Sequence, residues 1–292
     1  MTTIFHIQGG AGKHVAGASV IHSYKKQYPD KDIIVVSAYP EIFEGNLDVC
    51  RSYRIGQTPY FYRDYVYGKD VEVFGHDPYM TTTHITQQKN LIDSWCELIN
   101  VKRAHTYQLN INFREREFAN RIIDNPDNKK VLIFQPFGGP AGAEMPYSWT
   151  RDIHPRVAQQ LVNILSNEYH IVHICHQHHP QLSGVQRIDT TLQKRVLFAL
   201  LPLADKRLLI DSSLQHAAAS QQLPSTVCWI ATSPKIFGYD IHTNVVPSKI
   251  VKEGSSASYL YDYNFGGDIG ECPYSHPEEI YTVDVIINAL NN

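Results

Sequence analysis

The hydrophobic positions of this chain fall into short apolar runs, polar turns and longer stretches with helical spacing. Thr3-Ile4-Phe5-His6-Ile7 has strand length and opens into Gln8-Gly9-Gly10-Ala11-Gly12-Lys13-His14. A helix is predicted over 15–28, and Pro29-Asp30-Lys31-Asp32 separates it from a second apolar run, Ile33-Ile34-Val35-Val36-Ser37. Strand, glycine turn, helix and strand make a parallel βαβ opening. Residues 41–79 are less regular. A helix is then predicted over 84–101, with Ile85, Leu91, Ile92, Trp95 and Leu98 on one side. The segment 113–123 is amphipathic but set among Arg114, Glu115, Arg116 and Glu117, which reads as a solvated face.

Asn125-Pro126-Asp127-Asn128-Lys129-Lys130 has linker chemistry, and after it the pattern restarts. Val131-Leu132-Ile133-Phe134 is a predicted strand. Gln135-Pro136-Phe137-Gly138-Gly139-Pro140-Ala141-Gly142 is a second glycine-rich loop, and Ser148-Trp149-Thr150 precedes a helix predicted over 154–165. A strand over 169–174 runs into Cys175-His176-Gln177-His178-His179, and a helix follows over 192–203. Leu208-Leu209-Ile210 is a strand, Asp211-Ser212-Ser213 supplies capping side chains, and Leu214 to Ala219 continues as helix until Pro224 stops the segment. A buried strand, Thr226 to Ile230, ends in Ala231-Thr232-Ser233-Pro234. One or two strands over 243–251, a polar tyrosine- and glycine-rich loop over 253–270, and a helix capped by Ser275-His276-Pro277-Glu278-Glu279 complete the chain. The organisation predicted is α/β: a domain over 1–126, a second over 127–275 and a C-terminal helix over 276–292.

In both halves polar and glycine-rich residues gather where strands end and helices begin. Open parallel sheets bind ligands at that edge, and a helix N-terminus there favours an anion such as a diphosphate. Asp211-Ser212-Ser213 is equally readable as an ordinary helix cap, and Gly9, Gly10 and Gly12 as an ordinary tight turn. A Walker loop is excluded, because its spacing is absent. His176, His178 and His179 are dense enough for a metal, but neighbours on an extended segment point in opposite directions and no carboxylate or second cysteine flanks them. A polar loop is the better reading, and no metal site is expected. The formal charge of −3 offers no global attraction for nucleic acid. Locally, Arg51, Tyr53, Arg54, Tyr60, Phe61, Tyr62, Arg63, Tyr65 and Tyr67 crowd together. They read either as packed rings on a half-wet strand or as a surface for a nucleic-acid strand or a sugar face. The five cysteines form no C-x-x-C pair, so neither a disulfide framework nor a zinc knuckle is suggested. With no signal pattern and no apolar run of membrane-spanning length, a soluble cytoplasmic protein is expected, in a bacterial or phage-infected cell.

The segment Ile210-Asp211-Ser212-Ser213-Leu214-Gln215-His216-Ala217-Ala218-Ala219, then Leu223-Pro224, then Ala231-Thr232-Ser233-Pro234-Lys235-Ile236-Phe237-Gly238 resembles the donor-site segment of the ADP-heptose:lipopolysaccharide heptosyltransferases. That family typically shows D-S-G-x-x-H-x-A-A; Ser213 stands here where it has glycine. The resemblance implies a GT-B fold, two Rossmann-like domains facing a central cleft with the C-terminal helix crossing back to the first. It implies an acceptor-side domain followed by a donor-binding domain. The implied chemistry is transfer from a nucleotide-diphosphate sugar to an acceptor hydroxyl, with inversion, no metal and no further cofactor. Donor-side roles fall on Asp211, Ser212, Ser213, His216, His176, Gly138 and Gly139. Arg151 substitutes for a customary lysine beside Trp149. Gly9, Gly10, Gly12 and Lys13 approach the donor from the first domain. The family's usual aspartate base is replaced by Lys13, so His14 and Asp77 are the candidate bases. The implied acceptor is a surface saccharide such as lipopolysaccharide. Alternatives are hydroxymethylcytosine in DNA, as for phage-encoded base glycosyltransferases, a non-catalytic nucleotide-sugar-binding protein, and a sugar-phosphate epimerase of the same layout.

Overall fold

Strands covered on both faces are apolar throughout, and the apolar runs of this chain form two parallel sheets. The computed structural model describes residues 1–138, 146–247, 272 and 274–292. They divide into two units, Met1–Asn112 and Phe113–Asn292.

The first unit contains β1 (Thr2–Ile7), α1 (Ala11–Gln27), β2 (Asp32–Ser37), β3 (Arg51–Arg54), β4 (Val71–Phe74), α2 (Thr82–Ile85) and α3 (Leu91–Leu98). Its strand order is β3-β2-β1-β4, with every pair parallel. The chain steps outward from β1 to β3, then returns to place β4 on the other side of β1. The order therefore reverses between β1 and β4. Phe5, Ile33 and Val35 from the sheet and Val15, Val20 and Ile21 from α1 are buried, and Trp95 of α3 covers the helix. Helix α1 begins earlier than predicted: Gly10 is its N-cap, so Gly12, Lys13 and His14 lie in its first turn. The helix predicted over 84–101 is two, because the Asn90 side chain accepts from the Ile92 N–H and starts α3 afresh. The Arg/Tyr-rich stretch divides between its two readings. Tyr53, Phe61 and Tyr65 pack on one another, whereas Tyr60, Tyr62 and Tyr67 are at least 66% exposed.

The second unit contains α4 (Phe113–Ile122), β5 (Lys130–Phe134), α5 (Pro155–Leu165), β6 (Tyr169–Cys175), β7 (Gln186–Asp189), α6 (Lys194–Leu200), β8 (Lys206–Ile210), α7 (Ser213–Ser220), β9 (Thr226–Cys228), α8 (Pro234–Phe237), β10 (Thr243–Val245) and α9 (Val283–Asn291). The order is β10-β9-β8-β5-β6-β7, all parallel, and it reverses between β5 and β8. This is the doubly wound Rossmann order. Its core includes Leu132, Phe134, Leu161, Leu208, Ile210 and Cys228.

The second of the two units begins at Phe113 and includes α4 as well as the polar stretch around residue 126. A buried ion pair ties α4 to α6: Arg195 of α6 donates through Nε and Nη2 to the two carboxylate oxygens of Glu115 at 2.5 and 2.8 Å. Glu115 is thus turned inward from a helix read as solvated. The C-terminal helix, expected to reach back towards the first domain, buries Ile286 and Leu290 in the core of the second unit. Its Leu290 and Ala289 carbonyls accept from Lys206 Nζ and Thr226 Oγ1. Gly139, the end of the strand predicted over 243–251 and the loop over 253–270 lie outside the described residues. No helix among the described residues is long and apolar enough to cross a membrane.

Candidate active site

Each sheet carries a polar cluster where its strand order reverses. In the first unit the loops after β1 and β4 are neighbours, since those strands pair from Thr2 with Val71 to Phe5 with Phe74. Gly9 has φ +99°, a value that glycine adopts without strain, and it turns the chain into α1. Lys13 reaches across to the β4 loop and donates to Asp77 Oδ1 at 2.8 Å. The same oxygen accepts the Tyr79 N–H at 3.0 Å. The Asp77 side chain is 49% exposed and that of Lys13 only 6%.

His14 is differently placed. It is fully buried, with Nδ1 2.9 Å from the Gly10 carbonyl and Nε2 3.1 Å from the Ile7 carbonyl. Both ring nitrogens therefore face backbone carbonyls of the turn; burial lowers the pKa of the ring, and the neutral ring donates to one of them. Such a histidine fixes the turn and has no nitrogen for a substrate. Of the two candidate bases, only Asp77 has a carboxylate or imidazole at the surface.

In the second unit β5 ends at Phe134 and β8 at Ile210, side by side. Ser212, not Asp211, is the N-cap of α7: its Oγ accepts the Leu214 N–H at 3.2 Å. The same hydroxyl donates to Gln135 Oε1 of the β5 loop at 2.5 Å, tying the two loops together. Asp211 accepts from Thr232 Oγ1 at 2.7 Å, which joins the loop after β9. A Cβ added at Gly138 would lie 3.0 Å from Ile210 Cδ1, 3.7 Å from Gln135 Nε2 and 3.8 Å from Arg151 Cδ. Gly138 thus permits a close approach of backbone, strand end and arginine. The Arg151 guanidinium is half-buried and has no hydrogen-bond or ion-pair partner among the described residues. Beneath it the buried Asp152 accepts the Gly138 N–H at 2.9 Å and the Ser148 N–H at 2.8 Å. Burial pushes the Asp152 carboxyl up to about 7, against the pull of those two donors and of the Arg151 charge. His216, in α7, is buried with Nδ1 2.9 Å from the Tyr239 hydroxyl, and burial holds it neutral, at about 4.

The structure therefore gathers Gly9, Gly10, Lys13 and Asp77 in one cluster and Gly138, Arg151, Asp211, Ser212 and Ser213 in another. His176 is tied instead to its own loop, accepting the His178 N–H on Nδ1 while its own N–H donates to His179 Nδ1. Gln135, Thr232 and Tyr239 carry no local signal in the sequence, because each acts through a partner distant in the chain, and Asp152 joins one near partner, Ser148, to the more distant Gly138.

No protein-family model matches the sequence, and no curated protein matches it. Solved structures do. A family 9 glycosyl transferase from Veillonella parvula superposes with a TM-score of 0.73 at 12% identity, covering 99% of this chain and 96% of that one. The chain has the GT-B fold of the family 9 glycosyltransferases. The E. coli ADP-heptose LPS heptosyltransferase II gives 0.64 at 12% identity over 100% of this chain and 99% of that one. TibC from enterotoxigenic E. coli, an iron-containing dodecameric glycosyltransferase, gives 0.71 at 12% identity over 99% and 77%. Among the described residues of this GT-B chain, no group of three or more His, Cys, Asp or Glu is arranged to hold a metal ion. The likeness also explains the two sheets: the GT-B fold sets two such α/β units in succession, each with its own ligand edge.

Proposed function

We propose that this chain is a glycosyltransferase that moves a sugar from a nucleotide-diphosphate donor to an acceptor hydroxyl. The observation that supports it most is the edge between β5 and β8. A serine-capped helix N-terminus and an unpartnered, half-buried Arg151 meet there across a glycine with no side chain in the way. Helix N–H groups and a guanidinium together suit a diphosphate, and they stabilise it most when it leaves with added charge. Asp211, tied to Thr232, and His216, tied to Tyr239, line the donor side. Asp77 takes the proton of the attacking hydroxyl. The hydroxyl displaces the diphosphate in one step with inversion at the anomeric carbon, and the scheme calls for no metal. The acceptor we favour is a saccharide. A second reading, hydroxymethylated DNA, is favoured by the exposed Tyr60, Tyr62 and Tyr67, with Arg63 stacked over the Tyr60 ring.

Calorimetric titration with ADP, ADP-heptose and other nucleotide sugars tests the donor site. ADP-heptose is the first choice because a TibC structure contains it. Binding is expected for the wild type and should weaken in Ser212→Ala, Asp211→Ala and His216→Ala. Absence of any nucleotide binding, or affinity unchanged in all three variants, refutes the proposal. Mass analysis after incubation with saccharides or hydroxymethylated DNA then separates the acceptors.

A further inference from the structure

The pair at the reversal point of the first sheet is asymmetric. Its cation is inside and its anion is at the surface. The Lys13 side chain runs beneath the glycine turn, where a Cβ at Gly9 would lie 3.3 Å from Lys13 Cδ. Its ammonium lies 4.7 Å from the centroid of the Tyr79 ring and 5.9 Å from that of Trp95. Among the described residues Asp77 is its one hydrogen-bond acceptor. Asp77 Oδ1 takes both the ammonium and the Tyr79 N–H, and Oδ2 has no partner among the described residues.

An apolar side chain at position 13 would fill that space without desolvating a charge, so stability alone does not account for a lysine there. What the lysine does is immobilise one carboxylate oxygen. We infer that Lys13 is a positioning residue, holding Asp77 by Oδ1 so that Oδ2 is presented to the acceptor hydroxyl at the edge between β1 and β4. The inference rests on the transferase reading. The other groups around the pair do not compete for its charge. His84, whose ring stacks on Tyr79 at 4.9 Å and 15°, is held neutral by burial, at about 4. His76 adjoins Asp77 in the exposed loop, and Glu41, which acts on His14 from the β2 side, forms an ion pair with Arg54.

A double-mutant cycle on the whole chain tests this. Asp77→Asn should lower kcat by roughly 10²- to 10⁴-fold, the usual worth of a general base. Lys13→Met should lower kcat by roughly 10- to 100-fold through misplacement of that base and leave the donor KM unchanged. The double variant should be no slower than Asp77→Asn alone, because Lys13 acts only through Asp77. Additive losses in the double variant overturn the inference. If Lys13→Met does not fold, Lys13→Leu supplies the same cycle, and Lys13→Gln, uncharged but still able to donate to Asp77, should recover part of the lost kcat. The Tyr79 amide, which donates to the same Oδ1, reads the pair without turnover: its hydrogen exchange should quicken in Lys13→Met as that oxygen is released, and an unchanged rate overturns the inference. If the wild type transfers no sugar, it is the transferase reading that fails, and Tyr79 amide exchange still reports whether Lys13 holds Asp77.

Discussion

At the scale of single residues, the proposed donor edge rests on the Arg151 guanidinium and on the neighbouring carboxylate of Asp152. Arg151→Ala removes a guanidinium that no described partner satisfies, so the free protein loses little. Donor affinity should fall roughly tenfold or more, the worth of a charge-assisted hydrogen bond, with Tm nearly unchanged; calorimetry and a thermal melt check both. Asp152→Asn is the opposite case. Both oxygens of Asp152 accept backbone N–H groups, and an amide can accept from only one of them without turning its own NH2 against the other. A loss of about 1–3 kcal/mol in denaturant-measured stability is expected. The Asp211-Ser212-Ser213 cap was legible because capping is written in neighbouring residues. Asp152 was not, since one of its two partners, Gly138, lies 14 residues back in a loop that only the fold brings over it. His14 is the converse case: it is beside a glycine turn in the sequence, but helical winding from Ala11 turns it into the interior.

At the scale of elements, long apolar runs were readable and short half-wet ones were not. β1, β2, β5, β6 and β8 follow directly from their residues, while β7, with Gln186 and Arg187 in four residues, carries no apolar signal of its own. The start of α1 was placed too late because glycine is a poor helix former, although Gly12 sits in the first turn, where that penalty matters least. Gly17, further along, has a packing reason. A Cβ there would lie 3.0 Å from both Ile7 Cδ1 and Trp95 Cη2, so α1 is pinched between β1 and α3. Gly17→Ala gains about 1 kcal/mol of helix propensity but must displace a rigid indole. A net destabilisation of about 1–2 kcal/mol is expected, seen as a lower midpoint in urea with an unchanged slope.

At the scale of the whole molecule, the two-unit plan was legible in the restart of the pattern after residue 130, whereas the Arg195–Glu115 pair that ties α4 to α6 was not, because it joins residues 80 apart in the chain. Buried histidines give the molecule a common response to acid. Burial holds His84, His173 and His216 at about 4, against an ordinary 6.5, and lowers His14 and His242 as well. The unfolded chain binds protons at these groups before the folded chain does, so stability is full above about 6.5 and is lost as pH falls towards 4. Asp152 opposes this: its folded value of about 7 exceeds the usual 3.8, so its term weakens stability as pH rises between them. With several histidines against one carboxylate, stability should increase from pH 4 to 6.5, as measured by denaturant titration across that range. His173→Phe should flatten the dependence, because His173 is 1% exposed, both its nitrogens lack hydrogen-bond partners among the described residues and it lies against Phe134 and Phe137.

The seating of α9 has a consequence for biosynthesis. The core of the second unit is closed by Ile286 and Leu290, whereas the sheet of the first unit is built within Met1–Asn112. On the ribosome the first unit can mature while the remainder is being translated. The second must wait, with β9 and β10 incompletely covered, until residue 290 has cleared the exit tunnel. That interval is when a nascent chain would most need a chaperone.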